Sequence, residues 1–204
     1  MVLLVAAIFL KIARMAEPAL DAELMRSAQR GDRSAFEQLV RSYWRGVYSY
    51  ARRVLADEDL AQEVAQDTFV RGWRYRASWR DSAGTVRAWL FAVAANRIRD
   101  ARRARREDPR RIETSDDFAA DGEAGLEAFA RGAIRREVAL ALDALDPDQR
   151  EVLALKYLSD LSYEEVAAAL GLTVSAAKMR ALRARDELAR RLRRLVRDSE
   201  SGDA

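Results

Sequence analysis

The chain has 204 residues, of which half are hydrophobic and 34% are charged, so it can bury the core of one or two domains. Three prolines and nine glycines leave a composition that favours helices. The chain has no cysteine and no histidine, which excludes disulfides, zinc sites built on those residues and catalysis by a histidine or a cysteine nucleophile. Carboxylate, serine or lysine chemistry would still be possible, but the sequence shows no constellation for it, so we predict an all-α protein that is not an enzyme and has no catalytic residue, metal or cofactor.

The net charge of +3 is unevenly distributed along the chain. Residues 21–106 and residues 173–197 each carry a net charge of +7, whereas the residues between them are acidic. Basic blocks of this kind are typical of proteins that bind phosphate groups. Arginines on solvated helix faces would give the same pattern, so charge alone does not choose between the two interpretations.

The first ten residues are wholly apolar, but a membrane-spanning helix needs about 20 such residues. Residues 1–20 are interpreted as an N-terminal extension, with Met15 expected as the true start of the protein. A short membrane or partner contact by residues 1–10 is the alternative.

Residues 21–106 show helical spacing of apolar residues and form the first predicted domain. Residues 76–84 lack this spacing and indicate a loop. The apolar stripes of the three helices comprise Leu24, Ala28, Ala35, Phe36, Leu39, Val40, Tyr43 and Val47; Leu60, Val64, Phe69, Val70 and Trp73; and Trp89, Leu90, Val93, Ala94 and Ile98.

Residues 107–133 are acidic and without a stripe, and they predict a flexible linker. A second helical domain follows over residues 134–197, with Val152, Leu153, Leu155 and Leu158 facing inward, and residues 198–204 form an acidic tail. The sequence of this second domain contains four signals for helix starts and ends. They are Asp146 before a proline, a capping box at Ser162 and Glu165, Gly171 at a helix end and Thr173 at a helix start.

Residues 162–185 have the anatomy of a helix-turn-helix. Small residues at the start of its second helix allow a close approach to DNA. We expect base contacts in the major groove from Lys178, Met179, Leu182 and Arg183, and phosphate contacts from Thr173, Ser175, Arg180 and Arg185. A structural helical hairpin with an exposed basic face is the alternative.

The segment DPDQREVLALKYLSDLSYEEVAAALGLTVSAAKMRALRARDEL resembles region 4 of RNA polymerase sigma factors, which binds the −35 promoter element. Lys178, Arg180, Arg183 and Arg185 keep the basic positions of that family's second helix. Residues 61–73, AQEVAQDTFVRGW, resemble the part of region 2 that docks on the clamp helices of the polymerase β′ subunit. The resemblance implies that Glu63, Gln66, Asp67 and Arg71 face the polymerase.

The third helix and the loop before it resemble the part of region 2 that melts and reads the −10 element. The resemblance implies contacts to the −10 element from Trp79, Arg80, Asp81, Ser82, Trp89, Asn96, Arg99 and Arg103. Aromatic side chains can stack on unpaired bases, and arginines can follow the strand. A place in the protein core is the simpler interpretation of Trp89 and Phe91.

Both motifs in this order, without a large domain between them, resemble the extracytoplasmic-function group of the sigma-70 family. The resemblance implies two helical domains joined by a flexible acidic linker. It implies a cytoplasmic initiation factor whose partners are core RNA polymerase (β′ clamp helices and β flap), promoter DNA and an anti-sigma factor, with no small-molecule substrate. The alternative is a stand-alone helix-turn-helix regulator that binds an operator, but the sequence shows no sensing or dimerising domain.

Overall fold

The structure, a computed structural model, describes residues 18–107 and 137–201, and the regular structure within these ranges is helical. The predicted all-α fold is confirmed. The extension up to residue 17 and the predicted linker after Glu107 lie outside the described residues. The helices are α1 (residues 18–29), α2 (Arg33–Leu55), α3 (Glu58–Tyr75), α4 (Val86–Glu107), α5 (residues 137–143), α6 (Pro147–Leu153), α7 (Tyr163–Leu170) and α8 (Val174–Ser201).

The helix boundaries follow from side chains that satisfy the free backbone groups of a helix end. Asp32 accepts a hydrogen bond from the backbone N–H of Ala35, and Asp57 does the same for Leu60. The predicted cap at Asp146 is confirmed, with Pro147 in the first turn of α6. These capping bonds explain why α2, α3 and α6 begin where they do.

The first block, residues 18–107, is a bundle in which α2 packs against α3 and α4. Phe36 meets Trp73 edge to face with ring centroids 5.5 Å apart. Gly72 allows this approach, because a Cβ atom there would lie 3.2 Å from Cζ of Phe36. Most residues of the predicted stripes belong to this core or pack against it. Val70 is 56% exposed, so its assignment to the buried stripe is wrong.

The second block, residues 137–201, contains the predicted helix-turn-helix between α7 and α8. Between α6 and α7 the helix continues as a π turn over Ala154–Leu158. A π turn has more residues per turn than an α-helix, so residues at its end no longer fall on the face that α-helical spacing predicts. Leu158 is therefore 56% exposed, and the expectation that it faces inward is wrong. Leu155, at the start of the turn, is fully buried as expected.

The two blocks share one continuous hydrophobic core, because α7 packs on α4 and the π turn packs on α2. We call this contact the seam. Leu155, Leu161 and Val166 of the second block are fully buried in the same cluster as Leu90 and Ile98 of the first. Burial of aliphatic side chains of this size stabilises the contact by about 1.5–3 kcal/mol each.

Polar contacts flank the apolar part of the seam. The hydroxyl of Thr85 donates to Oε1 of Glu165 at 2.6 Å, and the guanidinium of Arg99 donates to the carbonyl of Ala169 at 3.0 Å. On the α2 side, Arg53 pairs with Asp143 at 3.4 Å. The seam is thus held by directional bonds as well as by apolar burial, which restricts it to one register.

Glu151 is the buried charged group at the centre of the seam. The hydroxyl of Tyr50 on α2 donates to Oε1 of Glu151 at 3.0 Å, and Nη1 of Arg102 on α4 lies 3.5 Å from Oε2. Burial raises the pKa of Glu151, which the Tyr50 hydrogen bond and Arg102 oppose. Burial, and then the Glu151 carboxylate, raise the pKa of Tyr50 well above its ordinary value. The carboxylate therefore depends on both partners from the first block.

We expect Tyr50→Phe to lower the free energy of unfolding by about 1–3 kcal/mol, because it leaves a buried carboxylate oxygen without its donor. The matched control is Tyr48→Phe on the same helix, which removes a hydroxyl from a half-buried ring and should change stability by less than about 0.5 kcal/mol. Urea unfolding of both variants measures the difference. Equal losses in the two variants would contradict the role given to the Tyr50–Glu151 bond.

Candidate nucleic-acid interface

The helix-turn-helix is fixed by hydrogen bonds at both ends of its turn. Ser162 and Glu165 form the predicted capping box at the start of α7. Gly171 ends α7 with a φ of +67°, a left-handed conformation that favours glycine. The hydroxyl of Thr173 accepts from the backbone N–H of Ala176 at 3.1 Å and so begins α8. All three predictions for this turn are confirmed.

The buried face of α8 determines which of its side chains face solvent. Ala177, Ala181 and Ala184 are fully buried against the rest of the protein. Their spacing of three and four residues leaves the opposite face of the helix open. The four side chains that we expect to contact bases are all exposed on this face or at its border: Lys178, Met179, Leu182 and Arg183.

The four residues expected to contact phosphates are placed less uniformly. Thr173, Ser175 and Arg185 are exposed around the start and the flank of α8. Arg180 is half-buried, and its Nη1 atom lies 3.4 Å from Oδ2 of Asp148 on α6. Arg180 also lines the same shallow recess as Met179 and Arg183. Helical spacing predicts that Arg180 and Arg183 point to different sides of α8. In the structure both line this recess, so their directions differ less than expected.

The loop before α4 holds four residues of the expected −10 set. Two single-turn 3₁₀ helices, Arg76–Ser78 and Asp81–Ala83, give it a defined shape. Trp79 is 3% exposed, and its indole N–H donates to the carbonyl of Gly84 at 3.2 Å. Arg80, Asp81 and Ser82 are exposed. The tryptophan thus anchors the loop, whereas the three polar residues after it are accessible to a ligand.

The other four residues of that set lie along α4. Asn96 and Arg103 are exposed, and Trp89 is half-buried. Arg99 is exposed but donates to Ala169 across the seam, so part of its hydrogen-bonding capacity is used within the chain. Phe91 is 2% exposed and packs against Tyr50, which confirms its place in the core.

The exposed face of α3 carries the residues expected to face the polymerase. Glu63 and Gln66 are exposed, whereas Asp67 is half-buried. Asp67 pairs with Arg71 at 3.2 Å and also with Arg97 on α4. The Asp67–Arg71 pair is therefore partly engaged within the bundle.

Val70 is a residue on this face that sequence reasoning misplaced. It follows Glu63 by seven residues, which returns a helix to nearly the same direction. Because Glu63 and Gln66 are polar, this spacing places Val70 on the polar side of α3. The spacing could therefore have indicated that Val70 is exposed. The seam was also not foreseen, because apolar stripes show which face of a helix is buried but not which helix covers it.

Other kinds of site find no support in residues 18–107 and 137–201. These residues contain no group of acidic side chains that could hold a metal ion. None of their helices combines the length and apolar character that a membrane crossing requires.

Comparison with known proteins identifies both blocks. Residues 39–107 match the family Sigma-70 region 2, and residues 135–188 match Sigma-70, region 4. The chain is 32% identical over 182 residues to the RNA polymerase sigma factor NccH of Alcaligenes xylosoxydans xylosoxydans, covering 85% of this chain and 95% of NccH. It is 32% identical over 165 residues to the ECF RNA polymerase sigma factor SigK of Mycobacterium ulcerans, covering 77% of this chain and 85% of SigK.

A solved structure agrees with these sequence relatives. The sigma factor RpoE of Bartonella quintana, in complex with the anti-sigma factor NepR, superposes with a TM-score of 0.65 at 25% identity. The match covers 78% of this chain and 96% of RpoE. Sigma factors in general are not enzymes. The chain therefore belongs to the RNA polymerase sigma factors of the sigma-70 family, in the extracytoplasmic-function group, and acts in promoter recognition and transcription initiation.

Proposed function

We propose that α8 reads the −35 promoter element as duplex DNA. The observation that carries this proposal is the packing of α8 through three alanines, which leaves Lys178, Met179, Leu182 and Arg183 exposed on one side. Lysine and arginine can donate to guanine edges, and apolar side chains can contact the thymine methyl group. Thr173, Ser175, Arg180 and Arg185 would hold the flanking phosphates and set the orientation of the helix.

The first block would dock on the polymerase and capture the −10 element as a single strand. Glu63, Gln66 and Val70 form an exposed acidic and apolar stripe on α3 that suits a basic partner helix, here the β′ clamp helices, with Asp67 and Arg71 at its border. Arg80, Asp81 and Ser82, together with Asn96, Arg99 and Arg103 on α4, are accessible to a strand. The half-buried Trp89 would stack on a base only at its exposed edge, and Trp79 would act by shaping the loop.

The spacing of the two promoter elements requires the seam to open. About 25 base pairs separate the −35 and −10 elements, which corresponds to about 85 Å of duplex at 3.4 Å per base pair. In the described conformation α4 and α7 are in direct contact, so both elements cannot be reached at once. The 29 residues between the described ranges would span about 100 Å when extended. The linker is thus long enough for the two blocks to separate on the promoter.

Three further partners or settings follow from the family. The second block would contact the β flap of the polymerase, which places α8 upstream. An anti-sigma factor, as in the RpoE–NepR complex, would hold the chain inactive. The protein would act in the cytoplasm, where polymerase and promoter DNA are found. The stand-alone operator-binding regulator is not favoured, because both matched families are sigma regions.

Run-off transcription with core polymerase tests the proposal. The template pool carries randomised −35 and −10 elements, and the transcripts are sequenced. We expect transcripts only when the chain is present, with two enriched elements separated by a constant spacing. A pool transcribed equally with and without the chain would contradict the proposed function.

We expect Glu63→Arg to lower the affinity for core polymerase at least tenfold, because it places a positive charge against a basic partner. Glu37→Arg is the matched control, since Glu37 is equally exposed on the neighbouring helix α2 and lies outside the α3 stripe. Fluorescence anisotropy of each labelled variant, titrated with core polymerase, measures both affinities. Asp67 is unsuitable for this test because its substitution also breaks the pair with Arg97. Equal affinities for the two variants would remove α3 from the polymerase interface.

We expect Arg183→Ala to flatten base preference within the −35 element, since loss of a good base contact costs about 1–3 kcal/mol at one position. Lys178→Ala should do so more weakly. Arg180→Ala should instead reduce transcription from strong and weak −35 elements by similar factors. Run-off assays over single-base −35 variants at two salt concentrations measure these effects. A changed base preference with Arg180→Ala and an unchanged one with Arg183→Ala would show that the two roles are reversed.

A further inference from the structure

Asp148, in the first turn of α6, lies between one arginine from each of the two basic helices. Its Oδ2 atom is 3.4 Å from Nη1 of Arg180 on α8, and its Oδ1 atom is 3.7 Å from Nη1 of Arg102 on α4. The Asp148 side chain is 56% exposed, so this contact lies at the solvent end of the seam. One carboxylate thus joins two cations that belong to different blocks.

Arg102 is engaged more deeply than Arg180. Its side chain is 18% exposed and also lies 3.5 Å from the buried carboxylate of Glu151. It stands in the run of arginines that ends α4, next to Arg103, which is exposed and faces solvent. In the closed chain Arg102 therefore lies beside two carboxylates of the second block, whereas Arg103 faces solvent.

We propose that Asp148 takes the place of a nucleic-acid phosphate between Arg102 and Arg180, and that DNA phosphates replace it when the blocks separate. A carboxylate and a phosphate both present anionic oxygens to the guanidinium group, so they compete for it. The proposal rests on the function proposed above, and it adds Arg102 to the residues that contact nucleic acid.

The two arginines are released in different ways. Arg102 leaves Asp148 and Glu151 when α4 moves away from α6, because those residues lie in opposite blocks. Arg180 lies in the same block as Asp148, so it is released only by exchange of the carboxylate for a phosphate. After Arg102 has left, Asp148 pairs with Arg180 alone. A phosphate of the duplex then replaces the Asp148 carboxylate at Arg180. Asp148 thus couples the seam to the DNA-binding face of α8.

The salt dependence of DNA binding reports the number of phosphate contacts, about one unit of slope for each arginine. The test uses the full chain and a labelled 20-base-pair duplex between 50 and 200 mM salt. Asp148→Asn removes the competing charge and keeps the side-chain size, and Asp148→Ser is a second neutral variant. Asp186→Asn is the matched control, because it removes an exposed acid of α8.

We expect the slope to steepen by about one unit in both Asp148 variants, because only Arg180 is freed while Glu151 still holds Arg102, and to stay unchanged in Asp186→Asn. The affinity gain of Asp148→Asn over the control should grow about threefold per released arginine as salt falls from 200 to 50 mM. Adding Arg180→Gln to Asp148→Asn should remove about one unit of the added slope. Adding Arg102→Gln instead should leave the added slope unchanged, because Glu151 holds Arg102 until the blocks separate.

Equal slopes in Asp148→Asn and Asp186→Asn would overturn the proposal. Run-off transcription by the unaltered chain separates this failure from failure of the proposed function. Equal slopes together with normal transcription would remove the competition by Asp148 and leave the promoter-reading function in place. A steeper slope without transcription on any template would support the competition and contradict the promoter-reading function.

Discussion

The arrangement of the protein depends on the burial of Glu151 between the two helical blocks. A carboxylate in an apolar contact is costly unless charged and hydrogen-bonding partners compensate it. Tyr50 and Arg102 supply that compensation, and both come from the first block. The second block therefore carries a group that is satisfied only in the closed arrangement or in water. Partial opening of the seam would leave Glu151 dehydrated but unpaired, which is unfavourable.

This constraint connects the parts of the chain that we propose to face DNA and polymerase. α4 contributes to the core of the first block, to the seam and to the surface expected to meet the −10 element. Among its arginines, Arg99 and Arg102 contact the second block, whereas Arg103 is exposed. A chain in this closed form presents only part of its basic surface, so under the proposed function the blocks would separate when the chain engages a promoter.

The sequence was sufficient to predict the local structure of the helix-turn-helix. Caps at Asp146, Ser162 and Thr173 and the left-handed Gly171 depend on residues within one turn of each other, so the chain alone determines them. The family followed from two motifs in a fixed order. The placement of the base-contacting set on the exposed side of α8 also agrees with expectation, although its role in reading DNA stays a prediction.

Features that depend on distant residues were missed for identifiable reasons. The exposure of Leu158 arises from a π turn, which ordinary helical spacing does not represent. Val70 fits an apolar stripe by type but lies on the side of α3 that no helix covers. The Tyr50–Glu151 pair joins residues 101 positions apart, and nothing local to either indicates the other. The seam was missed for the same reason, since the apolar stripes of two separate motifs do not show that the two motifs pack against each other.

Separation of the two blocks can be followed as a change in distance across the seam. The chain has no cysteine, so labels can be placed at Gln38→Cys on α2 and Glu164→Cys on α7, both exposed, without competing sites. Single-molecule energy transfer then follows the distance in the free chain and after addition of core polymerase. We expect one short-distance population in the free chain and a shift to a long distance with polymerase. A free chain that already shows the long distance, or a short distance that persists in the polymerase complex, would contradict the account.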